Sequence, residues 1–113
     1  MADCLFCKIA AKEIESDLVH ESDAVVAFRD INPAARTHIL VIPREHIPSA
    51  ADLTEAHGPL LGETFASIAS LAEKEGLRDG FRVVTNIGPE AGQSVGHLHF
   101  HMIGGHQMSW PPG

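Results

Sequence analysis

The 113 residues predict an α+β fold, a mostly antiparallel five-stranded sheet carrying one long and one short helix. Three observations lead there. Short β-branched or alternating segments stand before and after a single long amphipathic stretch, so strands and helices come in runs rather than in βαβ alternation. Turn residues separate these segments. The last segment, Gly96-His97-Leu98-His99-Phe100-His101-Met102-Ile103, alternates polar and apolar residues strictly.

Taken in chain order, Leu5, Phe6, Ile9 and Ala10 fall at helical spacing and predict a short amphipathic helix over residues 4–12. Leu18–Glu21 and Ala24–Arg29 read as two strands around the turn Ser22-Asp23. Asn32-Pro33-Ala34-Ala35 is a loop, because Asn-Pro favours turn initiation. Thr37–Ile42 alternates, with His38, Leu40 and Ile42 on one face and Ile39 and Val41 on the other, until Pro43 ends the ladder. Pro59 suits the first turn of a helix and Gly76 its C-terminal stop. Between them Leu61, Phe65, Ile68 and Ala72 make the buried stripe. Phe81–Ile87 is a fourth strand and the histidine segment the fifth. The long helix is expected to cover one sheet face and leave the histidine face for ligand.

The length suits one domain over residues 1–113, large enough for its own core. A formal charge of −7 argues against a sequence-independent nucleic-acid binder, which would carry a basic patch. Histidines and backbone N–H groups can still hold a small phosphate-bearing ligand. Met1-Ala2-Asp3-Cys4 shows no secretory signal, and no apolar run approaches the roughly 20 residues of a membrane span, so a soluble, cytoplasmic protein is expected.

In a strand the side chains of His97, His99 and His101 share one face, while Leu98, Phe100 and Met102 take the other. Three imidazoles in phase can ligate a catalytic metal, supply a nucleophile held in one tautomer by its neighbours, or sit as hydrogen-bonded sheet residues. The preceding loop, Asn86-Ile87-Gly88-Pro89-Glu90-Ala91-Gly92-Gln93-Ser94-Val95-Gly96, separates these readings. Its glycines admit close backbone approach, and Gln93, Ser94 and backbone N–H groups can aim donors at phosphate oxygens. A donor-bearing loop feeding a histidine face favours attack of imidazole on phosphorus over metal-assisted hydrolysis.

His97-Leu98-His99-Phe100-His101-Met102-Ile103 resembles the signature of the histidine triad superfamily. The resemblance extends over Phe6-Cys7-Lys8-Ile9, Phe28-Arg29-Asp30-Ile31-Asn32-Pro33, Thr37-His38-Ile39-Leu40-Val41-Ile42-Pro43, Asn86 and Gly92-Gln93-Ser94-Val95. The ending from Gly104 to Gly113 is similar to the tail of the nucleotide-binding branch. The resemblance implies a homodimer that binds purine nucleotides and hydrolyses nucleoside 5′-phosphoramidates. It implies that His99 forms a nucleotidyl-imidazole intermediate, flanked by His97 and His101, with a backbone carbonyl holding the tautomer of His99 and His38 supporting His101. Asn86, Gly92, Gln93 and Ser94 would contact the phosphate, and Ser94 would help protonate the departing amine. Asp30 would accept from the ribose hydroxyls, while Leu5, Phe6, Ile9, Phe28, Ile31 and Leu40 would form the base slot. A dinucleoside polyphosphate hydrolase or nucleotide transferase with the same His99 adduct is the alternative, as is a non-enzymatic nucleotide-binding scaffold dimer.

The pair Cys4-Leu5-Phe6-Cys7 suggests a metal site more than a structural disulfide in a cytosolic chain. Cys-x-x-Cys at a helix start can present two thiolates to one ion, His46 lies just past the strand that Pro43 ends, and His97 is nearest the glycine loop. Cys4, Cys7, His46 and His97 are therefore expected to hold one structural zinc, as the zinc-containing members of the resembled family do, with no catalytic cofactor. The competing reading is two reduced thiols packed as small apolar residues, with His46 in a surface loop.

Overall fold

The computed structural model describes residues 3–113; Met1 and Ala2, where the N-terminus was read for a signal, lie outside them. The helices are α1 (Leu5–Ala10) and α2 (Gly58–Lys74), and the strands are β1 (Leu18–Glu21), β2 (Val25–Arg29), β3 (Thr37–Pro43), β4 (Phe81–Val84) and β5 (Phe100–Gly104). Single 3-10 turns stand at Ala50–Asp52, Glu55–His57 and Pro89–Ala91. All five strands form one sheet in the order β1-β2-β3-β5-β4, and every neighbouring pair runs antiparallel. Among the described residues no helix is long and apolar enough to cross a membrane.

β3 is buried along its whole length because both sheet faces are covered. Ile39 and Val41 join Val25, Ala27, Phe100, Met102 and the α2 residues Ile68, Leu71 and Ala72 in one core. Leu40 and Ile42 join Val26, Phe28 and the α1 residues Phe6, Ile9 and Ala10 in a second. The period of two predicted for β3 thus sorts its side chains between two cores. The histidine face, expected above to be left open for ligand, is instead partly covered. The short helix lies over it, held by Arg44, which donates to Ala10 O at 2.7 Å and Ser22 O at 2.8 Å. At the other face, a two-pronged Arg29–Glu75 pair at 2.9 and 3.0 Å ties β2 to the end of α2.

One stripe residue and two strand boundaries differ from the sequence reading. Ile68 and Ala72 are buried and Leu61 packs against the core as expected, but Phe65 is 47% exposed and packs edge-on against Phe100, while Thr64, Ser67 and Leu71 face the sheet. Thr64 can be buried because its hydroxyl donates to Leu60 O at 2.8 Å. β4 ends at Val84, short of Ile87. β5 begins only at Phe100, so His97 and His99 precede the ladder. Extending the register Val41↔Phe100 would set Leu98 against Pro43, which has no N–H to give. The Leu98 N–H instead finds Ile47 O at 2.6 Å. The alternation survives the loss of the ladder, since Leu98, Phe100 and Met102 still enter the α2-side core.

Candidate active site and metal centre

The His99 ring is buried, with Nδ1 2.7 Å from the carbonyl oxygen of His97. A carbonyl only accepts, so Nδ1 carries the proton and Nε2 keeps its lone pair. At His38 the Ala34 N–H donates to Nδ1 at 2.9 Å. The proton of the neutral ring is therefore on Nε2, which donates to Nδ1 of His101 at 2.9 Å. His101 in turn carries its own proton on Nε2. The sheet register makes this chain possible: Leu40 pairs with His101, so His38, two residues along β3, is the diagonal neighbour on the same face. His101 and His99 stand edge to face with centroids 5.0 Å apart. Burial, with the neighbouring His99 and His38, pushes His101 below the ordinary histidine value, against a small opposing pull from Asp30.

Asp30 sits beside this relay. Its Oδ1 accepts from Asn32 N at 2.8 Å and its Oδ2 lies 3.5 Å from His38 Nε2. Asp30, His38 and His101 also bring three potential ligand atoms within 4.8 Å of one another. They do not make a metal site in this state, because the Ala34 N–H occupies His38 Nδ1 and leaves the proton on the nitrogen that would ligate.

The second cluster comprises Cys4, Cys7, His46 and His97, whose ligand atoms also lie within 4.8 Å of one another. His97 Nδ1 is 3.3 Å from Cys4 Sγ and 3.6 Å from Cys7 Sγ, and His46 Nδ1 is 3.3 Å from Cys7 Sγ. Bonds of about 2.3 Å to sulfur and about 2.0 Å to nitrogen set tetrahedral zinc ligands about 3.5 Å apart, so the donor set fits that ion. Two further contacts suit it. His97 Nε2 donates to the Pro43 carbonyl at 2.8 Å, which leaves Nδ1 as the free donor atom facing the sulfurs. The Cys7 N–H donates to Cys4 Sγ at 3.3 Å, at the first turn of α1. Burial above all holds His97 below its usual value, and so keeps the neutral form that a metal needs. Burial, then Cys4, pushes the Cys7 thiol up.

The glycine loop approaches from the β4 side. Gly88 and Gly92 adopt φ of +85° and +81°, which turns the backbone around the 3-10 turn between them. Gln93 holds this loop together: Oε1 accepts from Gly88 N at 2.9 Å, and Nε2 donates to Pro48 O at 2.8 Å and Val95 O at 3.0 Å. Both amide hydrogens are thus committed to carbonyls rather than offered to a phosphate. Asn86 Nδ2 likewise donates to Ala91 O at 2.9 Å. Ser94 is exposed and, with Asp3, Cys4, Leu5, His46, Val95 and Gly96, lines a cavity of about 470 Å³.

Of the expected base slot, Phe6, Ile9, Phe28 and Leu40 pack together in one cluster, with Phe6 edge-on to Phe28 and to His99. Leu5 and Ile31 remain exposed, Ile31 at 91%. Several groups that shape the site have no signature in side-chain spacing: the Ala34 N–H, the Pro43 carbonyl and the Ile47 carbonyl. Thr85 was also missed. Its hydroxyl donates to His99 O at 2.8 Å, replacing a ladder bond where β4 has ended. A β-branched hydroxyl residue just after the strand was the one available signal.

Known proteins resemble this chain in sequence and fold. The family described as "Scavenger mRNA decapping enzyme C-term binding" matches residues 3–111. A 14 kDa zinc-binding protein of Zea mays is 50% identical over 111 residues, covering 96% of this chain and 87% of that one. The adenylylsulfatase HINT1 of Arabidopsis thaliana is 48% identical over 111 residues, covering 96% of this chain and 76% of its own. Among solved structures, a HIT family hydrolase from Legionella pneumophila Philadelphia 1 superposes with a TM-score of 0.96 at 46% identity, covering 98% of this chain and all of that one. With its two imidazole pairs, its sheet and these relatives, the chain belongs to the histidine triad (HIT) superfamily.

Proposed function

We propose that the chain is a purine nucleoside phosphoramidase, a single-domain, cytoplasmic homodimer of the nucleotide-binding branch with one structural zinc per subunit. The observation that carries this reading is the His99 Nδ1 bond to the His97 carbonyl, which leaves Nε2 free to attack phosphorus at neutral pH. In the first step a bond forms between Nε2 and phosphorus while the P–N bond breaks, and the departing nitrogen takes a proton that the Ser94 hydroxyl relays from solvent. Water then attacks the nucleotidyl-imidazole, gives its proton back to solvent and releases the nucleoside monophosphate, regenerating His99. His101, with its proton on Nε2, donates to a phosphoryl oxygen, and His38 keeps it in that tautomer.

The Ser94 N–H and hydroxyl hold the phosphate, together with the second amide hydrogen of Asn86, while the Gly92 and Gln93 N–H groups stay on Pro89 O and Gly88 O and shape the turn. Gln93 serves by keeping the turn rigid. The Asp30 carboxylate accepts from the ribose hydroxyls, exchanging its contact with His38 for them. Phe6, Ile9, Phe28 and Leu40 back the base, and Leu5 and Ile31 supply the apolar surface that the base covers. Cys4, Cys7, His46 and His97 hold the zinc, which with no open position supplies structure rather than chemistry. The homodimer is supported by β4, an edge strand whose outer side pairs with no other described strand.

A second reading follows from the adenylylsulfatase named among the relatives: the same His99 adduct with sulfate as the leaving group. The test is turnover of an adenosine phosphoramidate, adenylyl sulfate and a diadenosine polyphosphate side by side. Phosphoramidate turnover well above the other two supports the proposal. Preference for either competitor reassigns the leaving group, and binding of nucleotide without turnover of any makes the protein a nucleotide-binding scaffold.

A further inference from the structure

Three hydrogen-bonding groups of His97 point to three different parts of the molecule. Its Nδ1 faces the two cysteine sulfurs at 3.3 and 3.6 Å. Its Nε2 donates to Pro43 O at 2.8 Å. Its carbonyl accepts from His99 Nδ1 at 2.7 Å. The residue is fully buried and lies outside the strand ladder, so the backbone there takes its orientation from these few contacts. Among the described residues the segment 97–99 is otherwise hydrogen-bonded by the Leu98 N–H to Ile47 O and the Thr85 hydroxyl to His99 O, and Leu98 is buried in the α2-side core. A second route runs through α1. Cys4 caps this helix, and Phe6 from its first turn lies edge-on to His97 at 6.0 Å and to His99 at 5.0 Å.

We propose that His97 is a positioning residue through which metal occupancy of the Cys4, Cys7 and His46 cluster sets the orientation of the His99 ring and the affinity for nucleotide. The proposal rests on the assignment of His99 as the nucleophile and adds a regulatory input to that same site. Ligation at Nδ1 ties the His97 ring to the cap and first turn of α1, through Cys4 and Cys7, and to the loop of His46. With the metal gone, Pro43 O keeps the one strong hydrogen bond to that ring, and the Nδ1 side retains a weak thiol contact and the edges of Phe6 and His46. The carbonyl that orients His99 and the Phe6 edge that packs against it lose their common anchor together. Linkage makes the coupling reciprocal: whatever factor the metal contributes to nucleotide affinity, nucleotide must contribute to metal affinity.

The experiment compares zinc-loaded and zinc-stripped wild-type protein, with adenosine monophosphate as the probe. Calorimetry should give about tenfold weaker nucleotide binding without zinc, within the usual range of such couplings. Competition with a chelator should show zinc held tighter by the same factor when nucleotide is saturating. Imidazole NMR should report a single His99 tautomer, protonated at Nδ1, in the loaded form and a second population in the stripped form. Should the stripped protein unfold, cadmium-loaded protein provides the alternative, because its metal resonance should move when nucleotide binds and move less in His99→Asn. Equal nucleotide affinities with unchanged His99 resonances, or a cadmium signal blind to nucleotide, overturn the coupling, and so does a chain that takes up no metal. Coupling without phosphoramidate turnover would instead defeat the functional assignment, so the two failures are distinguishable.

Discussion

His99 Nδ1 stands 2.7 Å from the carbonyl oxygen of His97, two residues before it in the chain. This short reach backward along the chain is possible because the two residues lie outside the ladder, where a paired strand would hold that carbonyl in the sheet plane. It directs one nitrogen to structure and leaves the other for chemistry.

Removing that second nitrogen is the simplest intervention. His99→Asn should lower phosphoramidate turnover by on the order of 10⁴-fold or more, since loss of a nucleophile removes the covalent route. Binding of a purine monophosphate should stay within a few-fold, because Phe6, Phe28 and the glycine loop are untouched. Steady-state kinetics and calorimetry on the same preparation check both halves.

Ser94→Ala should slow poor leaving amines by about 10²–10⁴-fold and good leaving groups much less, as expected for loss of a proton donor. A leaving-group series reads this directly. Uniform slowing across the series would restrict Ser94 to holding phosphate.

Zinc content should be about one per chain in protein purified without chelator, falling sharply in Cys4→Ala and Cys7→Ala. Elemental analysis measures the content, and melting curves should place both variants below wild type. Two freely titratable thiols in metal-free protein of unaltered stability would contradict the site.

Acid should destabilise the fold through His101. Burial holds it below the ordinary histidine value of about 6.5, so the unfolded chain binds a proton on this residue first as pH falls. Its contribution to stability is therefore full above about pH 6.5, declines as pH drops through that value, and levels off once the folded ring is protonated. His101→Gln should flatten part of this acid decline in parallel melting curves, and an unchanged profile would count against a buried neutral His101.

The C-terminal tail offers a test of the dimer. Arg82 of β4 donates to Ser109 O and, at 3.3 Å, to Pro112 O, clasping the tail to the edge strand. Deleting residues 109–113 should leave the melting temperature nearly unchanged and alter leaving-group preference. Light scattering should give twice the chain mass for the full-length protein, and a monomer would contradict the proposed assembly.

The strands and the buried alternation around His101 were legible because a period of two has one structural meaning when every second residue is apolar. The sulfur–histidine cluster was legible for a related reason, since Cys4-x-x-Cys7 at a helix start leaves few geometries. Phe65 misled because counting apolar residues takes no account of Thr64 and Ser67, whose hydroxyls find Leu60 O and His20 and so can enter the packed face. Gln93 could not be read either way, since an amide beside a phosphate loop serves a ligand or backbone carbonyls equally well. The tautomers depend on Ala34, Pro43 and the His97 carbonyl, backbone groups that look alike at every position of a sequence.

During turnover His99 should carry the nucleotide in a covalent bond. Wild-type protein mixed with an adenosine phosphoramidate, quenched in base within one turnover and digested, should yield a nucleotidyl adduct on the peptide containing His99, assigned by mass spectrometry. The adduct should form and decay fast enough to account for turnover and be absent from His99→Asn. Turnover with no adduct, or an adduct on another residue, would contradict the account.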